Sequence, residues 1–294
     1  MTMKILVNLL CCFVPLKKWR REIKRKLVGN KSRRKRLLAH GCKIDNEILT
    51  TPEGVKIDIS NVPPEAMAIT KEIFLNKDYA LNFGCDAVLI DIGLNRGIAS
   101  LFFATYPNIK KIYSFEPFKP TFELAKRNLE LNPHLSAKIN AFNFGLGKTE
   151  TTLELPYMDN ATGGMSTTHD VCKGGKNIKK ETVVIKDAAK EIAPILEENK
   201  NKHIILKCDC EGAEFEIFER LNEEKLIGNI DVILLEYHFN KPDGLVSVLT
   251  KNGFAVRTKV LSKKMSTGYI YAVRMTEKQS IVLDFKSKYN VKES

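Results

Sequence analysis

The sequence predicts an α/β fold with a mostly parallel sheet, an antiparallel edge strand and helices on both faces. From about Ala87 onward, short apolar runs alternate with amphipathic segments, which is the pattern of successive βα units. Several of these runs end in an acidic residue or in glycine. The chain finishes with two β-rich runs at 254–260 and 269–274, joined by a polar turn, which favour an antiparallel pair at one edge.

The first βα unit of this region is the most informative stretch of the chain. An apolar run at 88–90 predicts one strand, a run at 112–115 predicts the next, and a helical segment lies between them. The notable positions of the unit are Asp91, Gly93, Asn95, Gly97 and Glu116. Glycines allow a close backbone approach, and an acid at the tip of the second strand can accept ribose hydroxyls. The unit therefore predicts a nucleoside-containing ligand.

The glycine spacing excludes the dinucleotide fingerprint and disfavours a nicotinamide oxidoreductase. Gly93 and Gly97 are four residues apart, and the stretch contains no G-x-G-x-x-G run. Asp91 opens the turn, and an acid there suits a ligand with a cationic amino-acid head better than a pyrophosphate. S-adenosylmethionine (SAM) is such a ligand. The alternative, in which the glycines only shape a strand-to-helix turn, stays open.

The remaining elements follow in order along the chain. Upstream, a hairpin at 47–50 and 55–59 and a helix from 63 to about 76 are predicted as an accessory region. Downstream, we predict a helix after Pro120 with Phe122, Ala125 and Leu129 on one face, a strand at 141–144, a strand from 204 to Asp209, a strand at 232–235 and a helix at 243–252. Residues 156–176 are polar and glycine-rich, and we expect this long loop to determine acceptor specificity.

The basic charge belongs to the N-terminal segment. The net charge is +12, and residues 1–43 hold 14 of the 47 basic residues but one of the 35 acids. The apolar run at 5–14 is shorter than a membrane span of about 20 residues, and cations follow it where a signal peptide would have a cleavage site. We expect an in-plane anchor on an anionic membrane, at the cytoplasmic, inner face of the cell membrane. A solvated tail and a nucleic-acid arm are the alternatives.

These patterns divide the chain into four parts. They are a basic, amphipathic membrane-associating segment at 1–43, the accessory hairpin and helix at 44–78, an α/β domain at 79–278 and a C-terminal tail at 279–294. The seven cysteines are odd in number and lack zinc spacing. We therefore expect free thiols in a reducing cytosol.

Four motifs in this order resemble the FkbM-type SAM-dependent methyltransferases. They are DIGLNRGIAS (91–100), FEPF (115–118), KCDCEGAEFEIF (207–218) and LEYH (235–238). The resemblance covers about residues 80–275, and the K-x-D-x-E-G-x-E run is its most specific part. It implies a class I SAM-methyltransferase (Rossmann-like) fold and methyl transfer to oxygen, commonly a hydroxyl of a sugar or natural product. We assign the cofactor site to Asp91, Gly93, Asn95, Gly97, Ser100, Glu116 and Gly145.

The acids that end the strands should converge on one rim of the sheet, where open α/β sheets bind their ligands. Methyl transfer to a hydroxyl needs a base for its proton. The candidates are Asp209, Lys207 and His238, of which Asp209 is preferred because it ends the central strand. Lys207 would need a pKa lowered by burial, whereas His238 titrates in the right range.

Substrate contacts are assigned to Glu211, Glu236 and Ser166. For Glu211 and Glu214 a simple role in capping a helix remains an equal alternative. A divalent ion held by Asp209 and Glu236 is compatible with hard oxygen ligands, although the sequence does not require one.

The expected function is SAM-dependent O-methylation of a hydroxyl-bearing acceptor, a sugar in a surface or lipid-linked glycan. An RNA ribose O-methyltransferase and a non-catalytic, membrane-tethered scaffold are the alternatives. Outside residues 1–43 the chain is near neutral, with 33 basic and 34 acidic residues from the totals of 47 and 35. A near-neutral domain disfavours nucleic acid as a partner, and the pattern assigns no oligomeric state.

Overall fold

The computed structural model describes residues 32–159, 162–173, 178–274 and 281–283. The chain divides into two compact units between Asp78 and Tyr79. Most of the predicted membrane-associating segment, residues 1–31, lies outside the described residues. Within the described ranges, no helix is long and apolar enough to cross a bilayer.

The first unit contains a short helix at residues 32–39 and a three-stranded antiparallel sheet. The strands are β1 (Lys43–Asp45), β2 (Ile48–Thr50) and β3 (Lys56–Asp58), so the predicted hairpin is present and gains a third strand. The predicted helix after residue 63 begins as α1 (Pro63–Thr70) and continues as a π-helical turn (Lys71–Leu75).

The second unit alternates strands and helices. Its strands are β4 (Leu81–Phe83), β5 (Ala87–Ile92), β6 (Ile109–Phe115), β7 (Ile139–Phe142), β8 (Gly145–Gly147), β9 (Thr151–Tyr157), β10 (Lys179–Asp187), β11 (His203–Cys208), β12 (Val232–Tyr237), β13 (Phe254–Ser262), β14 (Thr267–Arg274) and β15 (Ile281–Leu283). Its helices are α2 (Ile98–Ala104), α3 (Lys119–Glu130), α4 (Pro133–Ser136), α5 (Ala188–Glu198), α6 (Glu214–Glu223) and α7 (Asp243–Lys251), with 3₁₀ turns at Thr162–Gly164 and Ile227–Asn229.

A seven-stranded sheet forms the centre of this unit, in the order β13-β14-β12-β11-β5-β6-β7. The strands from β12 to β7 are parallel, β14 is antiparallel to β12, and β13 is antiparallel to β14. This confirms the predicted α/β class and its antiparallel edge. β5 is the middle one of the five parallel strands, and all of its residues are buried, as expected for a parallel strand covered on both faces.

Helices cover both faces of the sheet. On one face Val88 and Ile90 pack with Ile192 of α5, Ile217 of α6 and Leu249 of α7 in one apolar core. Successive side chains of a strand alternate between the faces, and on the other face α2 packs against β5 and β6. The ligand rim at the carboxyl ends of the strands is therefore supported from both sides.

The region after β7 differs from the prediction. The strand that was predicted at 141–144 is β7, which lies at 139–142, where Ile139 pairs with Ile112 of β6. A second, three-stranded sheet follows, in the order β8-β10-β9. β9 and β10 pair in antiparallel register from Thr151 to Tyr157, so the predicted loop at 156–176 begins only after Tyr157.

The turn after β5 contains the tightest backbone approach at the rim. Gly93 has φ +86, and a Cβ added to it would lie 1.8 Å from the carbonyl oxygen of Asp209. Gly97 also has a positive φ, +74, but a Cβ added there would find its nearest neighbour, the Cβ of Ala125, at 3.6 Å. Of these two glycines, Gly93 alone is required by steric contact as well as by backbone conformation.

We therefore predict different outcomes for two alanine substitutions. Gly97→Ala should lower the free energy of unfolding by roughly 1–2 kcal/mol, the cost of a left-handed conformation. Gly93→Ala should cost more than about 4 kcal/mol, because the backbone of Asp209 must also move. Urea unfolding of both variants checks this, and equal losses would contradict the role of the contact between the two turns.

Candidate functional site

The site lies where the central strands end. Ile92 pairs with Phe115 of β6 on one side and with Cys208 of β11 on the other. The turns after these three strands are therefore neighbours, and they begin with Gly93, Glu116 and Asp209. The sequence thus brings three of its candidate residues to one rim through strand register alone.

A cleft runs between these turns. Six of the residues assigned from the sequence to the cofactor, the base or the substrate line it: Gly93, Asn95, Glu116, Gly145, Asp209 and Glu211. Its walls also include the apolar side chains of Phe118, Leu146 and Met165. Apolar walls with a few convergent polar groups are the usual character of a small-molecule site.

Glu116 occupies one end of the cleft and is 5% exposed. Its carboxylate accepts hydrogen bonds from the backbone N–H of Asn95, at 2.9 Å, and of Phe118, at 3.0 Å. Burial raises the pKa of Glu116 to about 7, although these two hydrogen bonds oppose the shift. The turn after β5 thus holds the carboxylate in a fixed position.

Two features of this end fit the predicted cofactor. Each oxygen of Glu116 accepts one backbone N–H from the described residues, which leaves acceptor capacity for the hydroxyls of a ribose. The Oδ1 atom of Asn95 is buried and has no hydrogen-bond partner within the described ranges. A donor group on a ligand would satisfy it, since buried acceptors without partners are costly. The residues present therefore fit SAM.

Asp91 lies behind the cleft and not in it. Its carboxylate is fully buried, accepts a hydrogen bond from the Ser100 hydroxyl at 2.5 Å and lies 3.0 Å from the ammonium nitrogen of Lys207. The assignments of Asp91 and Ser100 to direct cofactor contact are therefore corrected, because both side chains are engaged inside the protein. Gly97 likewise lies outside the cleft lining, where it precedes α2.

Lys207 is not a base in this arrangement. It is 2% exposed and donates to the carbonyl oxygen of Gly93 at 2.7 Å. Burial lowers its pKa, but the charges of Asp91 and Asp209 outweigh this and raise the pKa above its ordinary value. The candidate role for Lys207 as a base was therefore wrong: it is a buried ammonium that links the ends of β5 and β11.

The other end of the cleft holds a cluster of acids around one histidine, which we call the His238 cluster. The Nε2 atom of His238 lies 4.0 Å from an oxygen of Asp209, 3.7 Å from one of Glu211 and 3.6 Å from one of Glu236. Asp209 is the most exposed of these, at 30%, and it accepts a hydrogen bond from the hydroxyl of Tyr79 at 3.4 Å. Three candidate residues from two motifs thus meet at one imidazole.

Electrostatics in the His238 cluster alter two of the sequence-based assignments. Burial lowers the pKa of His238, but hydrogen bonding and charge from the surrounding acids outweigh it and raise the pKa to about 11. An imidazole that stays protonated at neutral pH cannot accept a proton, which corrects its candidate role as a base. Burial raises the pKa of Glu211 to about 8 and raises that of Glu236 as well.

Glu214 is the functional residue that sequence reasoning left between two interpretations. It is fully buried, and one oxygen accepts the backbone N–H of His238 at 2.6 Å and lies 3.3 Å from its Nδ1. The other oxygen accepts the N–H of Gly212 at 2.8 Å. The K-x-D-x-E-G-x-E run ends on Glu214, and this position in the motif is the sequence signal that could have indicated its role.

Ser166 has a structural contact in place of the predicted substrate contact. Its side chain is 3% exposed, and its hydroxyl donates to the carbonyl oxygen of Glu211 at 2.5 Å. The same hydroxyl accepts the backbone N–H groups of Thr168 and His169. Ser166 therefore ties the polar segment after β9 to the turn that carries Glu211.

Comparisons with known proteins identify relatives of the chain. The profile of the methyltransferase FkbM domain matches residues 91–256. The methyltransferase sdnD of Sordaria araneosa is 29% identical over 241 residues, which cover 71% of this chain and 91% of that protein. Methyltransferase 1 of Beauveria bassiana is 31% identical over 214 residues, 65% of this chain and 82% of that protein.

Solved structures with similar folds include other methyltransferases. A methyltransferase FkbM from Methylobacillus flagellatus KT has a TM-score of 0.41 at 11% identity, covering 84% of this chain and 60% of that one. A precorrin-6y C5,15-methyltransferase from Geobacter metallireducens GS-15 has a TM-score of 0.38 at 14% identity, covering 72% and 89%.

The buried ion pair yields a prediction on stability. Lys207→Met should lower the free energy of unfolding by about 3–5 kcal/mol, because it leaves the Asp91 carboxylate buried without its counter-charge. Adding Asp91→Asn should recover at least about 1 kcal/mol, since the two sites are in contact. Urea unfolding of the single and double variants measures both effects.

The matched control for this pair is Lys200→Met, at a lysine whose side chain is 65% exposed. Its effect should stay within about 0.5 kcal/mol. Strictly additive losses for Asp91→Asn and Lys207→Met would show that the two side chains are not coupled.

Proposed function

Because the chain belongs to the FkbM family of SAM-dependent methyltransferases, we propose that it transfers the methyl group of SAM to a hydroxyl oxygen of a sugar in a surface or lipid-linked glycan. The proposal rests on one feature of the cleft. The cleft joins a buried carboxylate suited to ribose, Glu116, with a partly exposed carboxylate suited to proton transfer, Asp209.

SAM supplies, when bound, an electrophilic methyl group on a sulfonium centre. The part of the protein is to hold the donor and the acceptor in line, because most of the rate enhancement in such a displacement comes from alignment. Glu116 would accept the ribose hydroxyls, and the Oδ1 of Asn95 would accept a donor group of the cofactor. Gly145 and Leu146 form part of the same wall.

Asp209 is the proposed base. Its carboxylate lines the cleft, and it is more exposed than Glu211, Glu236 or His238. It would take the proton of the acceptor hydroxyl as that oxygen bonds to the methyl carbon. Tyr79 donates a hydrogen bond to one oxygen of Asp209, and this contact restricts the orientation of the carboxylate.

The charge of the acceptor end supports a sugar and not a nucleic acid. Asp209, Glu211 and Glu236 are acceptors for hydroxyl groups, which a sugar offers in number. The same carboxylates repel phosphate, so an RNA backbone would be disfavoured at this position. The RNA ribose O-methyltransferase is therefore the weaker proposal.

Calorimetric titration with SAM and with its demethylated product tests the donor half of the proposal. We expect micromolar binding, a free energy of about −8 kcal/mol. Glu116→Ala should weaken it at least about tenfold, or 1.4 kcal/mol, through the loss of the ribose acceptor. The control is Glu123→Ala on α3, whose side chain is 47% exposed and does not line the cleft.

Unchanged affinity in Glu116→Ala would contradict the assigned cofactor position. A folded protein that binds neither compound would favour the non-catalytic scaffold. For the acceptor half, radiolabelled methyl should appear on glycolipid sugars as an ether that survives mild base, which excludes a methyl ester.

We further propose that residues 1–43 bring the enzyme to the anionic cytoplasmic face of the cell membrane. The support is their charge, 14 basic residues against one acid. Each cation near an anionic leaflet contributes about 1 kcal/mol. Changing Lys17, Lys18, Arg20 and Arg21 to Gln should therefore cost about 4 kcal/mol of binding to phosphatidylserine vesicles in a sedimentation assay.

The matched control changes four exposed lysines of the second unit to Gln: Lys110, Lys126, Lys190 and Lys200. Equal losses in the two variants would point to general charge and not to an N-terminal anchor. Neutral phosphatidylcholine vesicles should bind neither protein strongly.

A further inference from the structure

We propose that Asp209, Glu211 and His238 bind a divalent metal ion at the acceptor end of the cleft, where it would hold and activate the acceptor hydroxyl. The inference rests on the proposed function for its role, but not for the existence of the site. Each of the three residues offers one ligand atom, and these atoms lie within 4.8 Å of one another. Imidazole and carboxylate are a common mixed ligand set for divalent first-row metals.

The distances within the cluster are the first support. The Nε2 of His238 lies 3.7 Å from Glu211 and 4.0 Å from Asp209. Both separations are longer than an N–H···O hydrogen bond, about 2.7–3.2 Å. Two atoms bound to one ion at about 2.0–2.2 Å each can be no more than about 4.4 Å apart. The two His238 separations therefore fall within the spacing of ligands around a shared ion and are longer than hydrogen bonds.

The second support is the environment of His238. Its side chain is 6% exposed, so Nε2 is held inside the protein, where oxygens of Asp209, Glu211 and Glu236 face it at 4.0, 3.7 and 3.6 Å. The Nδ1 atom faces the fully buried Glu214 at 3.3 Å. A histidine that binds a metal usually donates its other N–H to a carboxylate, which fixes the tautomer and the ring orientation. Glu214 is placed for that task.

The backbone that carries the carboxylates is also fixed. Glu211 has φ +52 and Gly212 has φ +109, so the turn after β11 adopts a left-handed conformation at two successive residues. A Cβ on Gly212 would lie 2.7 Å from the Oγ1 of Thr168. Ser166 bonds the carbonyl oxygen of Glu211 from the same segment. Metal sites depend on such supporting contacts, because loosely held ligands bind weakly.

Charge is the third support. Four carboxyl groups surround one imidazole: Asp209, Glu211, Glu214 and Glu236. A divalent ion can balance this concentration of acids better than one imidazole can, and metals compete with protons for the same ligand atoms.

The ion would also bind the acceptor. Three protein ligands leave coordination positions open, and a sugar offers neighbouring hydroxyl oxygens to fill them. Coordination lowers the pKa of a bound hydroxyl, which makes its proton easier to remove. Mn²⁺ is a divalent first-row ion that carboxylate ligands suit, and we use it as the probe of the site.

Manganese binding to the full-length protein tests the inference without reference to activity. Electron paramagnetic resonance should show one bound Mn²⁺ per chain, with ¹⁴N coupling from an imidazole. Asp209→Asn, Glu211→Gln and His238→Gln should each weaken binding at least about tenfold, and His238→Gln should abolish the ¹⁴N signal. Glu214→Gln should weaken binding through misorientation of the ring while the ¹⁴N signal persists.

The matched control is His203→Gln. His203 lies at the opposite end of β11 and faces a carboxylate of Asp231 at 3.7 Å, and its loss should leave Mn²⁺ binding unchanged. The absence of bound Mn²⁺ at millimolar concentration, or equal binding in the four cluster variants, would overturn the inference.

Titration of SAM into the same samples separates the two proposals. SAM binding without Mn²⁺ binding would contradict the metal site and support the methyl-donor site. Mn²⁺ binding without SAM binding would support the metal site and contradict the methyl-donor site. If Asp209→Asn and Glu211→Gln weaken SAM although no Mn²⁺ binds, the carboxylates serve the cationic cofactor and the inference fails.

Discussion

The ion pair between Asp91 and Lys207 fixes the geometry on which the rest of the rim depends. The two residues are opposite one another in the register of β5 and β11, and both are buried. Lys207 also bonds the carbonyl oxygen of Gly93, so one ammonium group links the end of β11 to the turn after β5. Burying two charges is expensive and stabilises little by itself. Its evident effect here is to hold two strand ends and one turn in a single arrangement.

That arrangement divides the acids of the rim into two kinds. Asp91 and Glu214 are fully buried and engaged with protein partners, so they position other groups. Glu116, Asp209 and Glu211 line the cleft. All five follow the same sequence pattern, an acid at or just after the end of a strand or at the start of a helix. Whether such an acid faces a ligand depends on the neighbouring strand, because a lysine opposite it turns it into half of an ion pair.

This dependence explains how far the sequence could predict the site. Strand ends are readable from apolar runs, so the shared rim and the positions of Glu116 and Asp209 follow from the sequence. The partner of a residue on a neighbouring strand cannot be predicted from the sequence. Lys207 and Asp91 are more than a hundred positions apart in the chain and meet only because their strands pair in this register. The same holds for Ser166, whose bond to the Glu211 carbonyl is made by a segment that looks like free loop.

The helix after Pro120 shows a second limit of prediction from the sequence, which concerns the face that the helix buries. Its apolar pattern placed Phe122, Ala125 and Leu129 inward, whereas the buried positions include Thr121 and Asn128. Thr121 shares a hydrogen bond with the hydroxyl of Tyr157, and Asn128 donates to the carbonyl oxygen of Arg96. Polar residues can face a core when such partners exist, and hydrophobic periodicity cannot anticipate partners from other elements. β9, β10 and α5 were not predicted, because no element was assigned to the residues on either side of the predicted loop at 156–176.

The K-x-D-x-E-G-x-E run contains both kinds of acid in a single segment. Lys207 lies near the end of β11 and pairs with Asp91, whereas Asp209 comes directly after the strand and lines the cleft. The left-handed turn at 211–212 then presents Glu211 to His238. Glu214, at the start of α6, holds the backbone and ring of the same histidine. The spacing is thus set by geometry: the end of a strand, a reversal in a turn, and the first residue of a helix. A segment with the same acids at other intervals would keep its charge and lose the convergence on His238.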